Sequence, residues 1–272
     1  MTTVDPGPAR RSTETKACCA TAYSSDAVAM LLGESYHPGG LRLTRRLTSR
    51  LALRKDGPVL DVACGRGASA LAIAAEHGCP VSGVDLSQAN IAAAAEAASA
   101  VEGEFDFRVG DAEALPFADG AFAAVVCECA LCTFPDKATA AREFARVIAP
   151  GGRLGITDVT ADRDRLPPEL TGLGAWIACV ADARPLSEYT RILRLAGFGI
   201  LTTEHHDDAI RKMLSQIEAR LQLVEMTAPD RAEVLGLDFG AAPGVLKAAR
   251  RAIDDGILGY GLIVAERVDT GE

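Results

Sequence analysis

Two sets of side chains have types and spacings that could do chemistry. The first is Asp61-Val-Ala-Cys64-Gly65-Arg-Gly67, with Asp85 following 20 residues after Gly65. Glycines at 65 and 67 permit a tight turn and close backbone approach to a ligand at a helix N-terminus. A carboxylate at 85 can accept two hydrogen bonds from the hydroxyls of a ribose. The second set is sulfur: Cys18, Cys19, Cys64, Cys79, Cys127, Cys129, Cys132 and Cys179. Without a disulfide-forming compartment these thiols are packing residues, ligands of a soft atom, or reactive groups. Cys127, Cys129 and Cys132 fall together. Cys129-x-x-Cys132 also suits zinc or redox work, but a structural zinc site asks for a second pair, and the thioredoxin arrangement is absent.

These residues need elements to position them. Pro58–Ala63 is a short apolar run before a glycine turn and reads as a buried strand. Ala68–His77 is Ala-rich and helical, stopped by Gly78. Val81–Leu86 is a second strand, and Ser87 can cap the helix that runs to about Val101. Phe105–Val109 and Ala121–Val126 are further strands. Asp136–Ile148 is a helix closed by Pro150-Gly151-Gly152, and Arg153–Val159 is a fifth strand. Alternating strands and helices predict a doubly wound, mostly parallel sheet with helices on both faces. Later come a segment with Trp176 and Cys179 that reads as helical, an amphipathic helix over Ser187–Ala196 and a strand over Phe198–Thr203. Two helices fill much of 207–256, and Ile257–Val268 reads as a final strand. The chain therefore divides into a tail and helical cap (1–50), a core (51–206), a helical insertion (207–256) and a last core strand with its tail (257–272).

Composition narrows the function. The 272 residues are 49% hydrophobic and 24% charged, enough apolar content for a sizeable core. The formal charge of −9 argues against a nucleic-acid partner, which needs a basic face. The Arg run between Leu41, Leu43, Leu47 and Leu51 is then a solvated helix face. No apolar run approaches the roughly 18 residues of a membrane span, and Met1–Lys16 lacks the apolar region of a signal peptide, so the expected location is the cytoplasm.

Gly65-x-Gly67-x-x-Ala70 fits the dinucleotide fingerprint as well as other nucleoside cofactors. Three further features break the tie: Asp111-Ala112-Glu113 after the third strand, Leu115-Pro116-Phe117 before the fourth, and Arg146-Val-Ile-x-Pro150-Gly-Gly before the fifth. Over about residues 56–160 this order resembles the class I S-adenosylmethionine-dependent methyltransferases. The resemblance implies a Rossmann-like, seven-stranded sheet whose last strand runs antiparallel, with S-adenosyl-L-methionine as cofactor. It places the donor on Asp61, Cys64, Gly65, Gly67, Asp85, Leu86, Asp111, Ala112 and Cys127. A dehydrogenase would need a catalytic Tyr-Lys or His pair in the second half, and no convincing one is present.

A narrower likeness runs over about residues 16–200. Ala17-Cys18-Cys19, Cys129 before Pro135-Asp136-Lys137, Thr157-Asp158 and Cys179 before Ala196-Gly197-Phe198 resemble the arsenite methyltransferases. That resemblance implies a trivalent arsenic held by Cys129 and Cys179, with Cys18, Cys19 or Cys132 assisting, no resident metal, and a thiol reductant of the thioredoxin or glutathione type as partner. Arsenic(III) is soft and three-coordinate, so thiolates suit it. The chain departs from that family at Tyr36-His37-Pro38-Gly39-Gly40, which lacks a cysteine, and from about Thr202 onward. Methylation of a small organic metabolite is the alternative, as is a non-catalytic metalloid-binding or redox-sensing role. Cys64 and Cys79 also suit packing, Cys127 suits packing or ligation, and His37 and Glu128 read as loop and strand-end groups more readily than as catalysts.

Overall fold

The protein is seen here in a computed structural model that describes residues 16, 21, 23, 32–33, 36–171, 180, 182–227 and 242–268. Strands β1 (Val59–Val62), β2 (Val81–Asp85), β3 (Phe105–Val109), β4 (Phe122–Glu128), β5 (Ile148–Ala161), β6 (Phe198–His205) and β7 (Leu258–Arg267) form one sheet. Its order is β3-β2-β1-β4-β5-β7-β6, parallel except for β7, which runs antiparallel to both β5 and β6. Every residue of β1 is buried, as expected of a parallel strand covered on both faces.

Period-two alternation splits the core into two apolar clusters, one on each face. Ala124 and Val126 of β4 join Leu43 and Leu47 of α1 (Gly40–Thr48) and Ile73 of α2 (Ala68–His77). Val125 and Cys127 face the other way, against Phe144 of α4 (Lys137–Val147) and Leu193 of α5 (Leu186–Leu195). Helix α3 (Gln88–Ser99) starts at Ser87, whose hydroxyl accepts from Asn90 N at 3.2 Å. Between β6 and β7 in chain order come α6 (Asp207–Thr227) and α7 (Ala242–Asp254). Ile210, Ala249, Ala252 and Ile253 of those helices sit in the same cluster as Leu43 and Val126. Among the described residues no helix is long and apolar enough to cross a membrane.

Two sequence expectations change. Pro150-Gly151-Gly152 does not close α4 ahead of a separate strand. It lies inside β5, which pairs with β4 from Ile148 onward through a register shift between Phe122 and Ala124. The fourth strand continues to Glu128, two residues past its expected end, because its carboxyl end is paired with Ile156 and Thr157 of β5. The segment with Trp176 and Cys179 lies outside the described residues.

Candidate functional site

The strand order reverses between β1 and β4, and the crevice beyond their carboxyl ends is where such sheets take ligands. A cavity of about 520 Å³ opens there. Of the predicted residues, Asp61, Cys64, Gly65, Asp85, Leu86, Asp111, Ala112 and Cys129 line it.

The glycine turn is built for a ligand. Gly67 caps α2 at φ 83°, and a Cβ there would stand 3.0 Å from the Cβ of Ala94 on α3. Gly67 therefore lets two helices approach, while Gly65, at φ 53°, faces space with no atom within 4 Å of a Cβ position. Asp85 fixes this turn: its Oδ2 accepts from Gly65 N at 2.9 Å and its Oδ1 from Ser87 N at 2.8 Å. Burial raises the Asp85 carboxyl above its ordinary range, opposed by those hydrogen bonds. Asp61 is 2% exposed, and its Oδ2 has no hydrogen-bond partner. Burial, then the charges of Glu128 and Asp85, push its pKa well up. Burial, then the charges of Asp61 and Asp85, push the Cys64 thiol up, so it is a protonated wall rather than a nucleophile. Leu86 is 40% exposed and offers an apolar face at the rim. Asp111 is engaged already: Glu113 N donates to it at 2.9 Å and Lys16 Nζ at 2.7 Å.

These features fit S-adenosylmethionine. Gly65 leaves room for it, an orphaned buried carboxylate oxygen suits its ammonium, and Asp85 and Leu86 offer a polar and an apolar contact for its nucleoside. The donor is a cation, and carboxylates at 61, 85, 111 and 128 all face the cavity.

The cavity wall also holds a buried carboxylate at the end of β4. Glu128 ends β4 with its side chain 3% exposed, and His37 Nε2 lies 3.6 Å from its Oε2. Glu128 accepts from Ser69 Oγ at 2.7 Å, Thr44 Oγ1 at 2.9 Å and Thr157 Oγ1 at 3.3 Å. Hydroxyl donors thus hold a buried carboxylate that would otherwise be costly. Both His37 and Glu128 line the cavity, with Tyr23, Tyr36 and Phe134 nearby on its wall. The strand-end position of Glu128 was a legible signal; nothing local marks Ser69, Thr44 or Thr157.

Of the expected acceptor thiols, Cys129 and Cys132 fall among the described residues, and of these Cys129 lines the cavity. β4 ends at Glu128, and Cys129 turns into the left-handed region at φ 55°, its N donating to Thr157 O at 2.6 Å. Cys129 therefore packs on the face opposite Cys127. Cys127 is fully buried among apolar groups, so it does not reach the donor cavity; burial also pushes its thiol well up. Cys132 is 1% exposed in the core and does not line the cavity, because the short turn over Leu131–Thr133 tucks it inward. Cys18, Cys19 and Cys179 lie outside the described residues. Among the described residues no group of His, Cys, Asp and Glu could hold a metal ion.

A methyltransferase-domain family model matches residues 60–156, the stretch that carries the glycine turn and β4. The chain is 31% identical over 229 residues to the O-methyltransferase resE of Aspergillus sclerotiorum, covering 84% of this chain and 82% of that protein. It belongs to the class I S-adenosylmethionine-dependent methyltransferases. S-adenosyl-L-methionine is the cofactor of this methyltransferase. The 27-O-demethylrifamycin SV methyltransferase of Amycolatopsis mediterranei is 27% identical, over 90% of this chain and 94% of that one. The solved structure of the cyclase SpnF covers 97% of both chains with a TM-score of 0.71 at 24% identity. That likeness carries the fold and not the reaction.

Proposed function

We propose that this methyltransferase transfers a methyl group to a hydroxyl of a small organic molecule. The observation that carries the proposal is the His37–Glu128 pair on the wall of the cavity that contains the glycine turn and Asp85. Bound donor supplies an electrophilic methyl on a sulfonium. An alcohol or phenol is a weak nucleophile until its proton is taken, and a histidine backed by a carboxylate is a standard base for that step. Glu128 favours the imidazolium formed as His37 accepts the proton. The 3.6 Å between His37 Nε2 and Glu128 Oε2 is ion-pair range for the imidazolium. Tyr23, Tyr36, Phe134 and Pro135 give the acceptor an apolar, partly aromatic wall that also keeps water out.

The relatives support this acceptor over trivalent arsenic, since the two methyltransferases named above are, by their names, an O-methyltransferase and an enzyme that acts on a demethylrifamycin. The thiol placement points the same way: among the described residues only Cys129 of the expected arsenic ligands lines the cavity. The test incubates the full chain with donor carrying a labelled methyl and a panel of phenols, aliphatic alcohols and amines, with arsenite plus glutathione as a parallel arm. Mass spectrometry then reads the products. Labelled ethers that vanish in His37→Gln support the proposal. Transfer to arsenite or to amines with none to hydroxyls overturns it.

A further inference from the structure

Glu128 has a second layer behind it. Thr157, on β5, is fully buried and donates to Glu128 Oε1 at 3.3 Å. Tyr260, on β7, is fully buried too, and its hydroxyl donates to Thr157 Oγ1 at 3.0 Å. A tyrosine hydroxyl can also accept, but burial pushes that of Tyr260 well above the usual phenol range, so it keeps its proton. With its acceptor lone pair taken by Tyr260, the Thr157 hydroxyl is oriented to point its own proton at Glu128. The line runs from β7 through β5 to the end of β4 and stops at His37, crossing three neighbouring strands.

We infer that Tyr260 and Thr157 are positioning residues for methyl transfer: a buried hydroxyl relay that holds the Glu128 carboxylate beside His37. This rests on the base assignment proposed above and deepens it. The physical purpose is electrostatic. Glu128 also feels Asp61 from β1, Tyr260 from β7 and the thiol of Cys127, while Asp158 and Cys129 act on Tyr260. No Lys or Arg hydrogen-bonds to Glu128 among the described residues, so hydroxyl dipoles and His37 balance its charge. Each donor removed leaves more negative charge for the His37 imidazole to balance, which favours its protonated form.

The experiment reads His37 directly and needs no acceptor. Imidazole resonances of the full chain are followed by NMR against pH, the His37 signal being identified among the four histidines by its absence in His37→Gln. Thr157→Val keeps the shape and removes the hydroxyl; its His37 midpoint rises by about half a pH unit or more relative to the unsubstituted protein. Tyr260→Phe gives a smaller rise in the same direction. Thr157→Ser, which keeps a hydroxyl, restores the original midpoint and controls for packing. An unchanged midpoint in a folded Thr157→Val protein overturns the relay, and an unchanged midpoint in Tyr260→Phe removes Tyr260 from it. If the midpoints move as stated while His37→Gln still methylates hydroxyls, the relay stands and the base assignment falls.

Discussion

The donor end and the acceptor end of one cavity are built by different rules. The donor end comes from consecutive units of chain: β1, its glycine turn, α2, β2 and Asp85 lie within residues 59–85. The acceptor end draws His37 and Thr44 from before β1, Ser69 from α2, Glu128 from β4, Thr157 from β5 and Tyr260 from β7. One is a local motif, a glycine turn held by a carboxylate 20 residues on. The other is a convergence of distant side chains whose meaning exists only after folding. A methyltransferase can thus keep its donor site while its acceptor chemistry is set elsewhere.

The sharpest way to break this comparison is His37→Gln. It should lower kcat by about 100-fold or more, the scale of lost acid–base catalysis, with donor Kd by calorimetry changed less than about threefold. Loss of donor binding in this variant would show the two ends are one unit. Asp85→Asn acts on the other end. It should weaken donor binding by about tenfold or more while kcat at saturating donor holds.

Proton release sharpens the donor side. Burial raises the pKa of Asp61, so its neutral form persists above the ordinary carboxylate range. Ionising it costs the folded state, so the stability this group contributes is greatest at low pH and falls as pH rises through the raised value. A cationic donor favours the ionised form. Donor affinity should therefore rise with pH across that window, and binding should release a proton, read as a difference in calorimetric enthalpy between buffers of unlike ionisation heat. Asp61→Asn should abolish the release. The smallest effect is expected at sulfur: Cys129→Ser should alter hydroxyl methylation by less than about fivefold. Complete loss of transfer with intact donor binding would return the thiol to the centre of the chemistry.

Particular residues show what was legible before folding. Ala-rich α2 capped by Gly78, the Ser87 cap and the buried strand before the glycine turn follow from propensity and pattern. The antiparallel last strand was legible only through the likeness to a known family. The break after Glu128 was not legible, since period-two alternation carries Cys127 and Cys129 to one face unless a residue turns left-handed. A bulge within Pro150-Gly151-Gly152 is equally hidden, because the same residues also stop helices.

The sequence by itself determined the order of strands and helices, the glycine turn and the carboxylates that follow it, because those depend on neighbours a few residues apart. Only the tertiary structure decided that Cys127 and Cys132 face apolar cores while His37 meets Glu128 and Tyr260 stands behind Thr157. Those outcomes depend on sheet order and on where strands end, and both are fixed by contacts between residues far apart in the chain, such as the Tyr260–Thr157 bond across 103 positions.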